Sequence, residues 1–265
     1  ERQRQYLLGR ILLRLAVGKA TLTSRELQEE LGISPTAASN LLARWRRAGL
    51  VDQVARGRYA IRQIGLLGTR ASSEDVALAV AALVDGRAHR IAFHSALDFH
   101  GLLIRPVRTI QIASPHRFAS TEVSGRPLKV VFERAETVEI GTEDAGFDAR
   151  VSSLERALMD AAARPDLIGG YFSLAEALVA SDADPARLQN LAEELSAGPA
   201  LRRVGSLADR LDVVGLAGKL KPLTPPDWDL DLDPELRESS GAFRDANWRI
   251  RWPVDPREVA EEIAQ

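Results

Sequence analysis

Apolar residues recur at helical spacing in three stretches at the start of the chain. In the first stretch, the residues that share one side are Tyr6, Leu7, Leu8, Ile11, Leu12, Leu15 and Ala16. In the second, Leu27 and Leu31 lie one turn apart, and either Thr23 or Ser24 suits the N-cap position before them. The third stretch begins at Pro35 and has its apolar residues at Ala38, Leu41, Leu42 and Trp45. This periodicity predicts three amphipathic helices.

The second and third predicted helices are joined as in a helix-turn-helix unit. Gly32 can adopt the left-handed conformation that ends one helix, Ser34 suits the N-cap of the next, and Pro35 suits its first position. A short helix, a turn containing glycine and a second helix form the DNA-binding helix-turn-helix pattern. The side predicted to be buried on the second helix of this unit consists of Ala38, Leu41, Leu42 and Trp45.

The opposite side of this helix carries small polar residues first and arginines later. The residues predicted to contact DNA are Ser34, Thr36, Ser39, Asn40, Arg44, Arg46 and Arg47. Small polar side chains let a helix approach base edges, and arginines bind phosphates. The alternative interpretation is a surface helix whose arginines are only solvated.

The stretch AGLVDQVARGRYAIR, residues 48–62, predicts a β-hairpin directly after the helix-turn-helix unit. A helix stop at Gly49 precedes strands over residues 50–54 and 59–62, and Gly57 suits the positive φ of the turn between them. A hairpin at this place is a wing, and we expect Arg56 and Arg58 at its tip to reach a minor groove or the DNA backbone. Residues 1–65 are therefore predicted to form a winged helix-turn-helix domain.

Residues 66–265 combine strand-like alternation with a helical second half. Alternating or apolar runs predict strands over 108–114, 116–120, 128–135, 136–143 and 147–153, and helical spacing returns after Ser153. The predicted fold class is α+β: the winged helix-turn-helix domain, then a mixed α/β domain with a mainly antiparallel sheet. A Pro- and Asp-rich segment near 219–240 is predicted to be irregular, and ANWRIRWP near the end predicts a last strand.

The charge distribution separates the two predicted domains. Residues 1–65 hold 12 of the 35 lysines and arginines but only 5 of the 37 acidic residues, a net charge of +7 in a chain whose total is −2. A basic head on an acidic body indicates that the head binds a polyanion. The chain has no cysteine, and its N-terminal apolar clusters are interrupted by arginines. We therefore expect no disulfide, no signal peptide and no membrane span, and a cytoplasmic protein.

The body shows no pattern of an active site or a cofactor site. His94, Asp98 and His100 invite a metal or acid–base interpretation, but only the first two share a helix face and no cysteine supplies further ligands. Ser95 lacks the glycines of a nucleophile turn. The acidic run DLDLDP lacks the spacing of a calcium loop, and no phosphate-binding glycine loop occurs. We predict a binding domain without catalytic residues, metal or cofactor.

The winged head and four later stretches, taken in order, resemble the AbiEi family of bacterial antitoxins. The stretches are IAFHSALDFHGLL, RVSSLERALMDAAARPDLIGGYFSLAEAL, ALRRVGSLADRLDVVG and NWRIRW. AbiEi proteins are the antitoxin halves of type IV toxin–antitoxin pairs linked to abortive phage infection. The resemblance extends over residues 1–252, and the acidic tail PVDPREVAEEIAQ departs from the family pattern.

This resemblance implies a function for both parts of the chain. It implies a head that binds inverted repeats in its own promoter, compatible with a homodimer on double-stranded DNA, and that represses its operon. It also implies a C-terminal domain that counteracts a nucleotidyltransferase-type toxin without a stable complex. Gly169 and Gly170 would match the family's glycine pair, and Arg156 and Asp160 its arginine–aspartate element. Their helical spacing alone makes Arg156 and Asp160 an i,i+4 pair of structural character.

Two other functions are compatible with the residues. One is a self-standing winged-helix transcription factor whose C-terminal domain binds a small ligand or mediates oligomerisation. The other is an enzyme, such as a nuclease, fused to a DNA-binding head; it would need a carboxylate cluster that the sequence pattern does not offer.

Overall fold

The computed structural model describes residues 21–48, 50–61, 73–103, 107–119, 122–123, 126–225, 227–239 and 241–264. Three sequence predictions fall outside these residues: the helix over residues 6–16, the helix stop at Gly49 and the domain boundary between residues 65 and 66. The described part of the chain is an α+β structure, with a winged helix first and then a sheet and helices, as predicted.

The chain divides into two compact units. The first unit contains the described residues of 1–91, 108–133 and 144–150, and the second contains those of 92–107, 134–143 and 151–265. The first unit therefore includes the winged helix and most of the larger sheet, whereas the second includes most of the helices.

Helix α1 (Ser24–Leu31) begins at a capping box formed by the preceding strand β1 (Thr21–Thr23). The Thr23 hydroxyl accepts a hydrogen bond from the Glu26 backbone N–H at 3.1 Å, and the Glu26 carboxylate accepts one from the Thr23 N–H at 2.7 Å. These two bonds satisfy donors that the start of a helix leaves open. The helix ends at Gly32, whose φ of 61° is left-handed, as predicted.

Helix α2 (Pro35–Arg47) begins as the sequence predicts, with Ser34 as its N-cap. The Ser34 hydroxyl accepts a hydrogen bond from the Ala37 backbone N–H at 3.2 Å. The predicted apolar side is buried in the core of the winged helix and consists of Ala38, Leu41, Leu42 and Trp45. Burial of each large side chain contributes about 1.5–3 kcal/mol, so this side fixes the rotation of α2 about its axis.

The wing consists of strands β2 (Val51–Ala55) and β3 (Arg58–Ile61), which pair antiparallel. The short strand β1, which the sequence pattern did not predict, adds to β3 and gives the order β1-β3-β2. Helix α3 (Ser73–Val84) packs against all three strands. The wing sheet thus packs against a helix that comes after the wing in the chain.

A six-stranded sheet has the order β6-β7-β5-β4-β9-β8. Its strands are β4 (Arg90–Ile91), β5 (Ile110–Ser114), β6 (Glu122–Val123), β7 (Arg126–Phe132), β8 (Thr142–Gly146) and β9 (Ala149–Ser152). The pairs β4–β5 and β6–β7 are antiparallel, but β5 and β7 run parallel. The turn residues Phe147 and Asp148 between β8 and β9 both have positive φ, as a tight two-residue hairpin requires.

Two strand predictions are wrong. Residues 116–119 form no strand, because the His116 N–H bonds the Ser114 hydroxyl at 3.1 Å and turns the chain at the end of β5. Residues Ala135–Val138 form the short helix α5, because the Arg134 carbonyl accepts the N–H groups of Thr137 and Val138. A few alternating residues fit one helical turn as well as a strand.

The second unit is built around helix α6. Its helices are α4 (His94–Phe99), α5, α6 (Leu154–Ala163), α7 (Tyr171–Val179), α8 (Pro185–Glu194), α9 (Gly198–Arg210) and α10 (Pro256–Ile263). Helix α6 is buried from Glu155 to Ala162 and packs against α4, α7, α8 and α9. The predicted irregular segment contains only the short strand β10 (Leu230–Asp231) and a 3-10 helix, Pro234–Ser239, among its described residues.

Arg156 and Asp160 form a buried ion pair on α6. Their side chains are 5% and 8% exposed, and Arg156 Nε lies 2.8 Å from Asp160 Oδ1. Arg156 also donates to the Ile140 carbonyl at 3.1 Å, and the Ser152 hydroxyl donates to Asp160 at 3.1 Å. Because each member of the pair has further hydrogen-bond partners, part of the cost of burying it is offset.

Gly169 and Gly170 form the bend before α7. Their φ angles are 89° and 97°, which L side chains rarely adopt. The buried Asp233 carboxylate accepts the Tyr171 N–H at 3.0 Å, and a Cβ at Gly170 would lie 3.0 Å from the same oxygen. The glycine pair therefore lets a distant carboxylate bind the start of α7.

Helix α9 packs against the last strands of the chain, β11 (Phe243–Asp245) and β12 (Ile250–Trp252), which with β10 form a three-stranded sheet. The Trp252 indole N–H donates to the Ser206 hydroxyl at 3.0 Å, and that hydroxyl donates to Asp245 at 3.0 Å. Desolvation opposes ionisation of the fully buried Asp245, but hydrogen bonds from Arg210 and Ser206 outweigh it and hold its pKa below the usual value. The strand predicted for the end of the chain is present as β12.

Gly205 on α9 lies directly under the Trp248 indole. A Cβ at this position would come within 2.2 Å of two indole carbons. We expect Gly205→Ala to lower the free energy of unfolding by about 2 kcal/mol, since overpacking costs about 1–3 kcal/mol and exceeds the helix-propensity gain of alanine. Urea unfolding followed by tryptophan fluorescence measures this change.

Gly198, in the first turn of the same helix, supplies the matched control. Its added Cβ would meet no atom closer than 3.9 Å, so Gly198→Ala should leave stability unchanged or slightly higher. Equal unfolding midpoints for the two variants would contradict the packing of Trp248 on α9.

Candidate nucleic-acid interface

The outward side of α2 contains every residue that the sequence predicts for DNA contact on this helix. The exposed residues are Ser34, Thr36, Ser39, Asn40, Arg44, Arg46 and Arg47. The small residues lie in the first half of the helix and the arginines in its last turn. This order lets the N-terminal half approach bases closely while the C-terminal half reaches the DNA backbone.

The arginines of α2 differ in how they are held. Arg46 donates to the Gln53 side chain on β2 at 3.2 Å, so its guanidinium is placed toward the wing. Arg47 Nε lies 3.4 Å from the Ala43 carbonyl, a weak contact within the helix. Arg44 has no hydrogen-bond or ion-pair partner among residues 21–48, 50–61 and the other described segments, and it is exposed. Arg44 is thus available for an external anion.

A cleft of about 410 Å³ separates the second half of α2 from the wing. Its lining consists of Ser39, Leu42, Ala43, Arg46, Arg47, Gln53 and Tyr59. Gln53 and Tyr59 face each other across β2 and β3, which places them on one side of the hairpin. Two guanidiniums, an amide and a phenol around a concave surface are suited to bind a phosphate.

Gln53 and Tyr59 were not among the residues predicted from the sequence. The signal for them was the hairpin register, because residues opposite each other in an antiparallel pair share a face of the sheet. A prediction based on charge alone selects arginines and passes over such neutral donors.

The two wing arginines lie in different surroundings. Arg56 is exposed in the turn and has no partner within the described part of the chain. Arg58 is only 22% exposed and forms an ion pair with Asp85 at 2.9 Å. Of the two, Arg56 is the one whose guanidinium faces solvent without an internal partner.

The residues considered for metal binding do not form a site. The His100 Nε2 atom lies 2.7 Å from the Ser152 carbonyl oxygen, to which it must donate, so this nitrogen offers no lone pair to a metal. Burial lowers the pKa of His94, and the nearby Asp98 opposes that shift. Within the described ranges, no group of three or more His, Cys, Asp or Glu residues could hold a metal ion.

Comparison with known proteins identifies the head of the chain. Residues 9–58 match the model of the MarR family, a range that includes α1, α2 and the turn of the wing. The chain therefore carries a MarR-like winged-helix DNA-binding domain of the kind found in transcription regulators. No curated protein matches the chain.

The complete chain also resembles a solved structure. A crystal structure of the RV2827C protein from Mycobacterium tuberculosis matches 96% of this chain and 93% of its own, with a TM-score of 0.63 and 20% sequence identity. The shared fold thus extends well beyond the winged helix. None of the described helices is long and apolar enough to cross a membrane.

Replacement of an outward arginine of the head should weaken DNA binding and reduce its salt dependence. For Arg44→Ala we expect the slope of log K against log salt concentration to fall by about one, because each phosphate contact contributes about 0.9 to it. At about 0.1 M salt this corresponds to about eightfold weaker binding. Fluorescence anisotropy with a duplex of the chain's own promoter measures both quantities.

Arg257→Ala is the matched control, since Arg257 is an exposed arginine of the second unit on α10. It removes the same charge and should leave affinity and slope unchanged. Wild-type affinity for Arg44→Ala, Arg47→Ala and Arg56→Ala alike would contradict the interface.

Proposed function

We propose that this protein is a transcriptional repressor that binds inverted repeats in its own promoter and acts as the antitoxin of a type IV toxin–antitoxin pair. The observation that carries the DNA-binding part is the outward side of α2, where small polar residues and arginines are exposed, together with Arg56, which is exposed in the turn of the wing. Two such heads, related by a two-fold axis in a homodimer, would match the symmetry of an inverted repeat.

The antitoxin part rests on the resemblance to the AbiEi family. Three of its four later stretches contribute to the buried framework of the second unit: they supply the Arg156–Asp160 pair on α6, the glycine bend before α7, and the contact of Gly205 with Trp248. These residues occur in the same order as in the AbiEi family, and here they are needed for packing. They therefore support the proposal that the body has the fold of that family. They support the proposal that the body does what the family's C-terminal domain does, namely to counteract a nucleotidyltransferase-type toxin.

We infer that the body is not itself an enzyme. Buried charged residues in the described part of the body bind one another or backbone atoms: Arg203, for example, donates to the carbonyls of Asp231 and Ala162 at 2.9 and 2.8 Å. Burial lowers the pKa of this arginine, but its hydrogen bonds are directed into the protein. Such groups are committed to the fold and offer no free acid, base or nucleophile.

Co-expression tests the antitoxin proposal. The full chain, produced from an unrelated inducible promoter, should restore growth to cells that express the nucleotidyltransferase-type toxin encoded next to it. The triple variant Arg44→Ala/Arg47→Ala/Arg56→Ala should restore growth equally, because neutralisation is assigned to the body. Colony counts on inducing medium measure the protection.

The Gly205→Ala and Gly198→Ala variants serve as a matched pair for the body. Protection should be reduced by the first, which disturbs α9, and retained by the second. Failure of the wild-type chain to protect would refute the antitoxin role, whereas loss of protection in the triple variant alone would assign neutralisation to the DNA-binding head.

A further inference from the structure

The two arginines of the wing, Arg56 and Arg58, differ in exposure and in their partners. Arg56 lies in the hairpin turn, whereas Arg58 is the first residue of β3 and pairs in the ladder with Thr23 on one side and Ala55 on the other. The Arg58 side chain, 22% exposed, extends away from the tip toward the C-terminal end of α3. A charged side chain this far buried needs specific partners.

Those partners are the last turn of α3 and the residue that follows it. Arg58 Nη1 donates to the Ala82 carbonyl at 3.2 Å, and Nη2 donates to the Asp85 carboxylate at 2.9 Å. Ala82 is among the last four residues of the helix, whose carbonyls have no partner within it, and a cation is favoured at this end by the helix dipole. Arg58 thus satisfies both a backbone acceptor and an acidic side chain.

The backbone places Asp85 for this contact. Asp85 has a φ of 55° and is followed by Gly86 with a φ of 74°, so the chain leaves α3 through two left-handed residues. Aspartate is one of the few side chains that adopt this conformation readily. The carboxylate is therefore directed from a defined bend, and we call the three residues Arg58, Ala82 and Asp85 the wing tether.

The wing needs such a tether. A two-stranded hairpin is only marginally stable by itself, and the turn of this wing extends beyond the three-stranded ladder. One further bond holds the turn: the Gly57 carbonyl accepts the Ser24 N–H at 2.9 Å. The tether adds a side-chain link between the start of β3 and α3, which packs on the same sheet.

We propose that Arg58 is a positioning residue that holds the wing on α3 so that Arg56 reaches the DNA backbone. Arg58 itself makes no DNA contact, because its guanidinium donates to Ala82 and Asp85. This assignment rests on the proposed DNA-binding function of the head. The sequence alone predicts that Arg56 and Arg58 both contact DNA, whereas the structure favours contact by Arg56 and positioning by Arg58.

The affinity of the full-length protein for a duplex of its own promoter, measured at several salt concentrations, distinguishes a positioning role of Arg58 from a direct DNA contact. Arg56→Ala should lower the slope by about one and weaken binding about eightfold at about 0.1 M salt. Arg58→Ala and Asp85→Ala should each cause a similar loss, because the Arg56 contact is lost when the wing is released. The double variant Arg56→Ala/Arg58→Ala should be no weaker than Arg58→Ala.

A direct DNA contact by Arg58 predicts the opposite pattern. The double variant would then lose about two units of slope, and Asp85→Ala, which frees a cation, would bind as well as wild type or more tightly. Either result overturns the tether. A purely structural role would lower the melting temperature of Arg58→Ala while its effect on binding adds to that of Arg56→Ala in the double variant, and this result too would overturn the tether.

Arg44→Ala, measured with the same duplex, reports on DNA binding without involving the wing. If Arg44→Ala weakens binding while Asp85→Ala does not, the tether fails and the DNA-binding function stands. If Arg44→Ala, Arg47→Ala and Arg56→Ala all bind the duplex as tightly as the wild-type chain, both proposals fail together.

Discussion

The packing of one side of α2 into the core of the winged helix is the constraint on which the interface depends. Trp45 and Leu42 are 5% and 1% exposed, and rotating the helix by one residue would bring Arg44 or Arg46 into the place of Trp45. Burying an unpaired guanidinium costs far more free energy than burying a neutral polar group. The hydrophobic side therefore determines, without any DNA present, which residues face outward. Recognition by this helix is a consequence of what the protein must bury.

The local features of the head could be predicted from the sequence because short-range chemistry determines them. Ser34 and Gly32 start and end helices through bonds to residues three or four positions away. Long-range partners had no such signal. Nothing near Arg58 indicates that Asp85, 27 residues later, binds it, and the parallel pairing of β5 with β7 cannot be read from alternation within either strand. The DNA-binding roles of the individual residues stay predictions.

In the second unit, the stretches that support the family resemblance contain glycines at positions where a side chain would collide with a neighbouring group. Gly205 leaves room for the Trp248 indole, and Gly170 leaves room for the Asp233 carboxylate. Two neighbouring arginines of α9, Arg202 and Arg203, donate to backbone carbonyls of the irregular segment and of the turn between β11 and β12. Backbone that has few ladder bonds of its own is thus held by side chains from a helix, which explains how a Pro- and Asp-rich segment can be ordered.

The packing of α3 on the wing sheet affects whether the winged helix can be separated from the rest of the chain. Winged helices are commonly regarded as portable units that can be cut from one protein and joined to another. Here helix α3 packs against all three strands of the wing sheet, and the guanidinium of Arg58 donates to Ala82 and Asp85. A head severed after the wing would lose the packing of α3 on the sheet and leave the arginine without its acceptors. The smallest transferable reader of DNA in this protein therefore extends through Asp85, and a chimera joined at an earlier residue would inherit the recognition helix without a firmly seated wing.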